Sequence, residues 1–139
     1  MDRKEFIMRI VENMNRVQEN TAPEVNDQIA RECRMRIDYF RQHPHEIRQR
    51  LSELEKEWDI ERALAVNSSV LTLTGLALSF LKGRHWSLLS ATVQGFYVQH
   101  ALTGWCPPLP VLRQLGFRTT HEIETERHAL LDIQESDDR

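Results

Sequence analysis

Between Ala63 and Leu112 the only Lys, Arg, Asp or Glu residues are Lys82 and Arg84. At the 28% charged content of the whole chain, a stretch of that length would carry roughly fourteen. A helix with no charged face must be buried inside a large protein or lie in lipid, and a chain of 139 residues is short for enclosing two of them. From Ala63 to Leu81 the chain offers roughly 19 uncharged residues, near the minimum that crosses a bilayer core. Lys82-Gly83-Arg84-His85 follows as a polar turn, and Trp86 to Gly104 is a second stretch interrupted by Gln94, Gln99 and His100. The pattern predicts an all-α chain in three parts. These are an amphipathic cytoplasmic region (1–62), a hydrophobic, membrane-inserted helical hairpin (63–112), and a C-terminal cytoplasmic helix and tail (113–139).

The flanks read as solvated helices with one apolar stripe each. Asp2 and Glu5 have capping-box spacing before Phe6, Ile7, Ile10, Val11, Met14 and Val17, which predicts a helix to about Asn20. Thr21-Ala22-Pro23-Glu24 has the same spacing before the stripe Val25, Ile29, Cys33, Ile37 and Phe40, so Cys33 is expected as an inert core thiol. A third helix opens at Pro44 with Ile47, Leu51, Leu54 and Trp58 on one face, and no proline stops it before Leu81. Thr119-Thr120-His121-Glu122 is another capping box, ahead of Ile123, Ala129, Leu130 and Ile133.

Inside the hairpin the polar side chains need partners, because a lone one in hydrocarbon is costly. Folding the chain about Arg84 brings Asn67 to the level of Gln99 and His100, and Thr74 to that of Gln94. These five are the expected polar contacts. Gly75 and Ser79 on one helix, with Ala91 and Gly95 on the other, supply small residues for close approach. Trp58, Trp86 and Trp105 fall at the ends of the spans, as interfacial anchors do. Arg48, Arg50, Lys56, Arg62, Arg113 and Arg118 flank the terminal side against Lys82 and Arg84 in the turn, which predicts both termini in the cytoplasm.

Net charge of -3 and a pI near 6.1 argue against nucleic acid, whose binding faces carry an excess of Lys and Arg. The chain lacks GxGxxG, P-loop, HExxH, GxSxG and paired CxxC motifs. No metal or cofactor is expected: His43 and His45 diverge at a helix start, and His121, Glu124 and His128 read as solvated surface. Cys106-Pro107 with His100 is too short a signal for haem. Gly104, Cys106, Pro107 and Pro108 form a stiff corner, because Pro107, Pro108 and Pro110 end the preceding helix. Cys106 is the one thiol for which sulfur or redox chemistry comes into view, with His100 or Arg113 near enough in sequence to favour a thiolate.

Thr103-Gly104-Trp105-Cys106-Pro107 at the end of an uncharged hairpin, then Leu115-Gly116-Phe117-Arg118-Thr119, resembles a small bacterial inner-membrane two-helix family of unknown function. That family also occurs as the membrane segment after a rhodanese domain in some sulfurtransferases. The resemblance runs from Trp58 to Thr119, with Asp59-Ile60-Glu61-Arg62 similar to the family's lead-in. The chain departs from it in lacking a rhodanese domain and in having a more polar hairpin. The resemblance implies a self-associating inner-membrane hairpin, and a sulfur-handling protein as partner; it supplies no catalytic residue.

The functional expectation is therefore a non-enzymatic membrane protein whose cytoplasmic helices form a docking surface or an oligomeric scaffold. The alternative is a soluble, cytoplasmic, all-helical homo-oligomer with the hairpin buried at its core or interface. Sulfur transfer through Cys106 is the enzymatic reading.

Overall fold

The computed structural model describes residues 2–5 and 15–139, and among these all regular structure is helical. The chain is all-α, as its periodicity predicts. After a helical stretch at 15–19, six helices follow: α1 (Pro23–Gln42), α2 (Ile47–Lys56), α3 (Ile60–Lys82), α4 (Ser87–Thr103), α5 (Leu109–Gln114) and α6 (Thr120–Asp137). Single 3₁₀ turns at Pro44–Glu46 and Arg84–Trp86 lead into α2 and α4. The stripe Phe6, Ile7, Ile10, Val11 and Met14 lies outside the described residues.

Helix ends follow their local chemistry. Thr119 and Glu122 make the full capping box expected of them: Thr119 Oγ1 accepts from Glu122 N at 3.2 Å, and Glu122 Oε2 accepts from Thr119 N at 2.8 Å. The box expected at Thr21 does not form. Ala22 is the N-cap of α1. The Thr21 hydroxyl instead donates to Val17 O at 2.6 Å and accepts from Arg113. A buried guanidinium that needs acceptors outcompetes the cap.

The rod from Pro44 to Lys82 is one bent unit rather than an unbroken helix. Glu57, Trp58 and Asp59 interrupt it. Asp59 Oδ1 accepts from Arg62 N at 2.7 Å and so caps α3, while Ile60 N donates to Arg118 O at 2.9 Å. The break frees Glu57 to face Arg118, which periodicity alone does not foresee.

Two buried apolar clusters hold the chain. Ile47, Leu54, Ile123 and Leu130 join α2 to α6, with Phe40 of α1 packed against them. Val17, Ile60, Leu64, Cys106 and Leu109 join the 15–19 stretch, α3, the Gly104–Pro108 corner and α5. Helices α1, α2 and α6 thus form a head, and the second cluster seats the antiparallel pair α3/α4 upon it. Cys33 belongs to neither cluster; it is half buried and lines the groove between α1 and α6. The inert core thiol is corrected to a groove thiol, because the α1 stripe is only partly covered.

Candidate functional site: the base of the apolar helix pair

Where α3 and α4 leave the head, three kinds of group meet: buried ion pairs, a histidine bound to a carboxylate, and the cysteine corner. The ion pairs are outside the apolar pair. Arg113, 1% exposed, spends all five N–H donors on Thr21 Oγ1 (3.1 Å), Phe117 O (3.1 Å), Asn26 Oδ1 (2.9 Å) and both oxygens of Glu122 (2.7 and 2.8 Å). Glu126, fully buried, accepts from Arg36 (3.3 Å), Arg50 (2.9 Å) and Arg118. Arg118 also makes a fork to Glu57 at 2.8 and 2.6 Å. Carboxylates and guanidiniums from α1, α2, α5, α6 and the segments that carry Glu57 and Arg118 therefore meet at two nodes. Burial pushes Glu126 up, yet the Arg50 hydrogen bond and the Arg118 charge outweigh it and hold the carboxyl below its ordinary value. Glu122 is likewise depressed: burial opposes, and Arg113, Gln18 and the Thr119 amide prevail. Arg118 is raised: burial opposes, and the Glu57 and Glu126 contacts prevail.

These nodes revise the orientation argument. Arg50, Arg113 and Arg118 are internal ion-pair members rather than headgroup contacts, and of the six basic residues in that argument Arg48, Lys56 and Arg62 are the exposed ones. Arg62 lies over the Trp58 ring at 4.6 Å.

In the apolar pair, the expected levels are shifted. Gln94 Nε2 donates to Thr72 Oγ1 at 2.8 Å, not to Thr74, whose hydroxyl donates to Val70 O within its own helix at 2.8 Å. His100 meets Glu61 rather than Asn67. Asn67 and Gln99 are exposed. The cause is the turn: Arg84–Trp86 folds back along α3, so that the Trp86 carbonyl lies against Gly75, where a pivot at Arg84 would place it beside Lys82. Helix α4 starts lower, α3 overshoots it, and Phe80 and Leu81 stand 90% and 80% exposed. Gly75 is the small residue that permits the approach, since a Cβ there would overlap Ser90 Oγ; at Gly95 a Cβ would meet open space. The Ser90 hydroxyl donates to Thr72 O at 2.8 Å.

At the base, both Glu61 oxygens lie 3.0 and 3.1 Å from His100 Nε2. His100 is buried, and its Nδ1 has no hydrogen-bond partner. Gly104, at φ 77°, turns the chain out of α4 against Arg16, leaving no room for a Cβ. Pro107 and Pro108 follow as the corner, and α5 continues through Pro110, so the corner is short and leads straight into a helix. Cys106 is 3% exposed and lines a cavity of about 140 Å³ between the helices, with Leu64, Leu71, Val93 and Phe96 among its walls. Trp58 and Trp105 flank this base, 42% and 37% exposed, and Trp86 is half buried at the far turn.

The expected site residues thus divide. His100, Gly104, Cys106, Pro107 and Pro108 come together at the base, Thr74 and Gln94 lie farther out along the pair, and Glu61 is the participant that sequence reasoning missed. Among the described residues no cluster of His, Cys, Asp and Glu has metal-binding geometry. The architecture defines an all-α protein with an ion-paired helical head and an apolar antiparallel helix pair. Comparisons with protein-family models, curated proteins and solved structures find no match to this chain.

Proposed function

We propose that the chain is a non-enzymatic inner-membrane scaffold: a hairpin of α3 and α4 inserted in lipid, with the ion-paired head on the cytoplasmic side as a docking surface. One observation carries this reading. On α3, Val66, Val70, Leu71, Leu73, Leu76, Phe80 and Leu81 are all exposed and spread over roughly 200° of the circumference at 100° per residue. A soluble helix that docks on one partner needs an apolar stripe, whereas one surrounded by hydrocarbon needs an apolar wrap.

Two further features support it. The Pro44–Lys82 rod contains a stretch long and apolar enough to cross a membrane, most of it exposed. At 23 residues α3 is about 34 Å long, against a hydrocarbon core of about 30 Å. Hydroxyls along the pair bond within the pair: Ser68 and Ser69 donate to Ala65 O, Thr74 to Val70 O, and Ser90 to Thr72 O. That is how a spanning helix disposes of such groups. The resemblance of the Gly104–Pro107 run supplies the expectation of self-association and of a sulfur-handling partner.

The competing reading is a soluble homo-oligomer that buries the same surface between copies. It is favoured by α4, which at 17 residues is short for a span and exposes Gln94 and Gln99. Alkaline washing of membranes from cells expressing the chain separates the two. The scaffold reading expects the chain in the pellet until detergent is added. Release as a discrete oligomer into plain buffer overturns it.

A further inference from the structure

Beside the Gly104–Pro108 corner, α3 and α4 part around the cavity of about 140 Å³, a space that the scaffold role does not use. Its inner end is formed by Leu64, Ser68 and Cys106, all buried, and its sides by Leu71, Val93, Phe96 and Tyr97. Asn67, Leu71 and Phe96 are exposed, so the mouth opens sideways onto the apolar face of the pair, with Asn67 at its rim. Pro107 and Pro108 belong to the same wall. Their rings fix φ at the corner and restrict Cys106 before them, so this wall does not relax into the space. An empty apolar cavity forfeits the contacts of its lining, and an occupant that restores them binds there.

Four properties of the cavity define that occupant. A cavity of about 150 Å³ lined by Leu, Ile and Phe takes up benzene, so the volume matches one six-membered ring. Among the described residues no Lys, Arg, Asp or Glu lines the space, and an ion would lose its hydration without a counter-charge. Phe96 and Tyr97 offer ring edges and faces to an aromatic guest. A rigid ring also loses less conformational freedom on entry than a flexible chain of equal volume. The Ser68 hydroxyl already donates to Ala65 O at 3.1 Å, which leaves the Asn67 amide at the mouth and the Tyr97 hydroxyl as the polar groups that recognise a ligand. We propose that this cavity is a binding site for a single uncharged aromatic ring carrying one hydroxyl, the phenol class. The ring lies between Leu64, Val93 and Phe96, and its hydroxyl donates to the Asn67 amide oxygen at the mouth. The site is a property of the cavity, whether lipid or further copies cover the apolar wrap, so its failure leaves the scaffold reading standing.

The test uses the full chain in mild detergent and 4-fluorophenol as the probe, with binding read by fluorine NMR against protein-free micelles. A saturable shift is expected, with a dissociation constant of about 1 mM or tighter. Fluorobenzene binds on the order of tenfold more weakly, and the anion 4-fluorobenzoate gives no saturable shift. Asn67→Leu, at an exposed position, removes the advantage of the phenol over fluorobenzene and leaves fluorobenzene bound. Val93→Phe fills the cavity and abolishes binding of both. Location is read without any variant from the two cysteines, because Cys33 lines a different groove, between α1 and α6. At about ten times its dissociation constant, 4-fluorophenol slows modification of Cys106 by methyl methanethiosulfonate about tenfold and leaves Cys33 unchanged. The proposal is overturned by a shift no different from that of empty micelles, by binding of 4-fluorobenzoate as tight as that of the phenol, or by equal slowing at the two cysteines. Undiminished binding in a Val93→Phe protein of native near-ultraviolet circular dichroism also overturns it.

Discussion

The head and the helix pair are built on opposite principles within one small chain. In the head, Glu126 is surrounded by Arg36, Arg50 and Arg118, and Arg113 by five acceptors, so that charge from α1, α2, α5, α6 and the segment before α6 is neutralised inside. The pair has no charged residue between Ala63 and Leu81, and its helices are held by Gly75 against Ser90 and by Thr72 with Ser90 and Gln94. Buried ion pairs give little net stability but are severely missed when one partner is removed, because the other is left charged and dry. Small-residue packing contributes little per contact and works without water. The head therefore has the chemistry of an element that must keep one shape, and the pair that of an element whose surroundings complete it.

The largest effect expected from this contrast is at Glu126. Glu126→Ala removes the buried carboxylate shared by Arg36, Arg50 and Arg118, leaving Arg118 to Glu57 and Arg50 to Glu53 and Glu57, and should destabilise the head by about 3 kcal/mol, read as a lowered midpoint of thermal unfolding of the near-ultraviolet signal. The helix pair should keep its far-ultraviolet helicity and its membrane association. If the pair is lost together with the head, the two regions are not independent and the contrast fails. A second effect is the reverse substitution in kind. Gly75→Val forces a side chain into Ser90 and should cost about 1–3 kcal/mol, seen as faster amide exchange in α4 with α6 unchanged; adding Ser90→Gly should restore part of it, because the Ser90 amide and the Trp86 carbonyl still face the new side chain.

Acid sharpens the same contrast. Glu122 and Glu126 have folded-state pKa values below ordinary. Their contribution is therefore complete above the unfolded value of about 4.3 and is lost as pH falls through the folded values. A titration from pH 7 downward should leave head stability flat until about pH 5 and then lower it steeply. Exchange in α3 beyond Ala63, where no carboxylate lies, should not follow. Parallel acid loss in both regions would place the stabilising charges elsewhere.

What was legible in the chain follows from the same division. The all-α class, the uncharged pair and the Thr119–Glu122 cap are properties of spacing and local chemistry, and periodicity carries them. The ion-pair nodes were not legible, because Arg113 and Arg118 look like any solvated arginine until α5 and the segment after it fold under α1 and α6. The Glu61–His100 contact was hidden by a geometric assumption, a symmetric pivot at Arg84. A 3₁₀ turn that lies back along α3 moves every cross-helix partner toward the base, from Thr74 to Thr72 at Gln94 and from Asn67 to Glu61 at His100. Glu61 also falls just outside the uncharged stretch, so a search confined to that stretch passes over it.

The smallest effect is the one most sensitive to what surrounds the pair. Gln94 is exposed and gives one hydrogen bond to Thr72. In a bilayer, Gln94→Leu removes an interhelical bond of about 0.6 kcal/mol and also removes a polar group from hydrocarbon. The two terms oppose, and the variant in detergent should unfold within about 0.5 kcal/mol of the parent, with membrane retention in alkali unchanged or firmer. In water the same change adds a leucine to a surface that already exposes Leu88, Phe96, Val98 and Leu102, and the expected result is lower solubility or a larger assembly. Thermal unfolding in detergent and sedimentation in plain buffer, run on the parent and on Gln94→Leu, therefore read opposite signs for the two environments from one side chain.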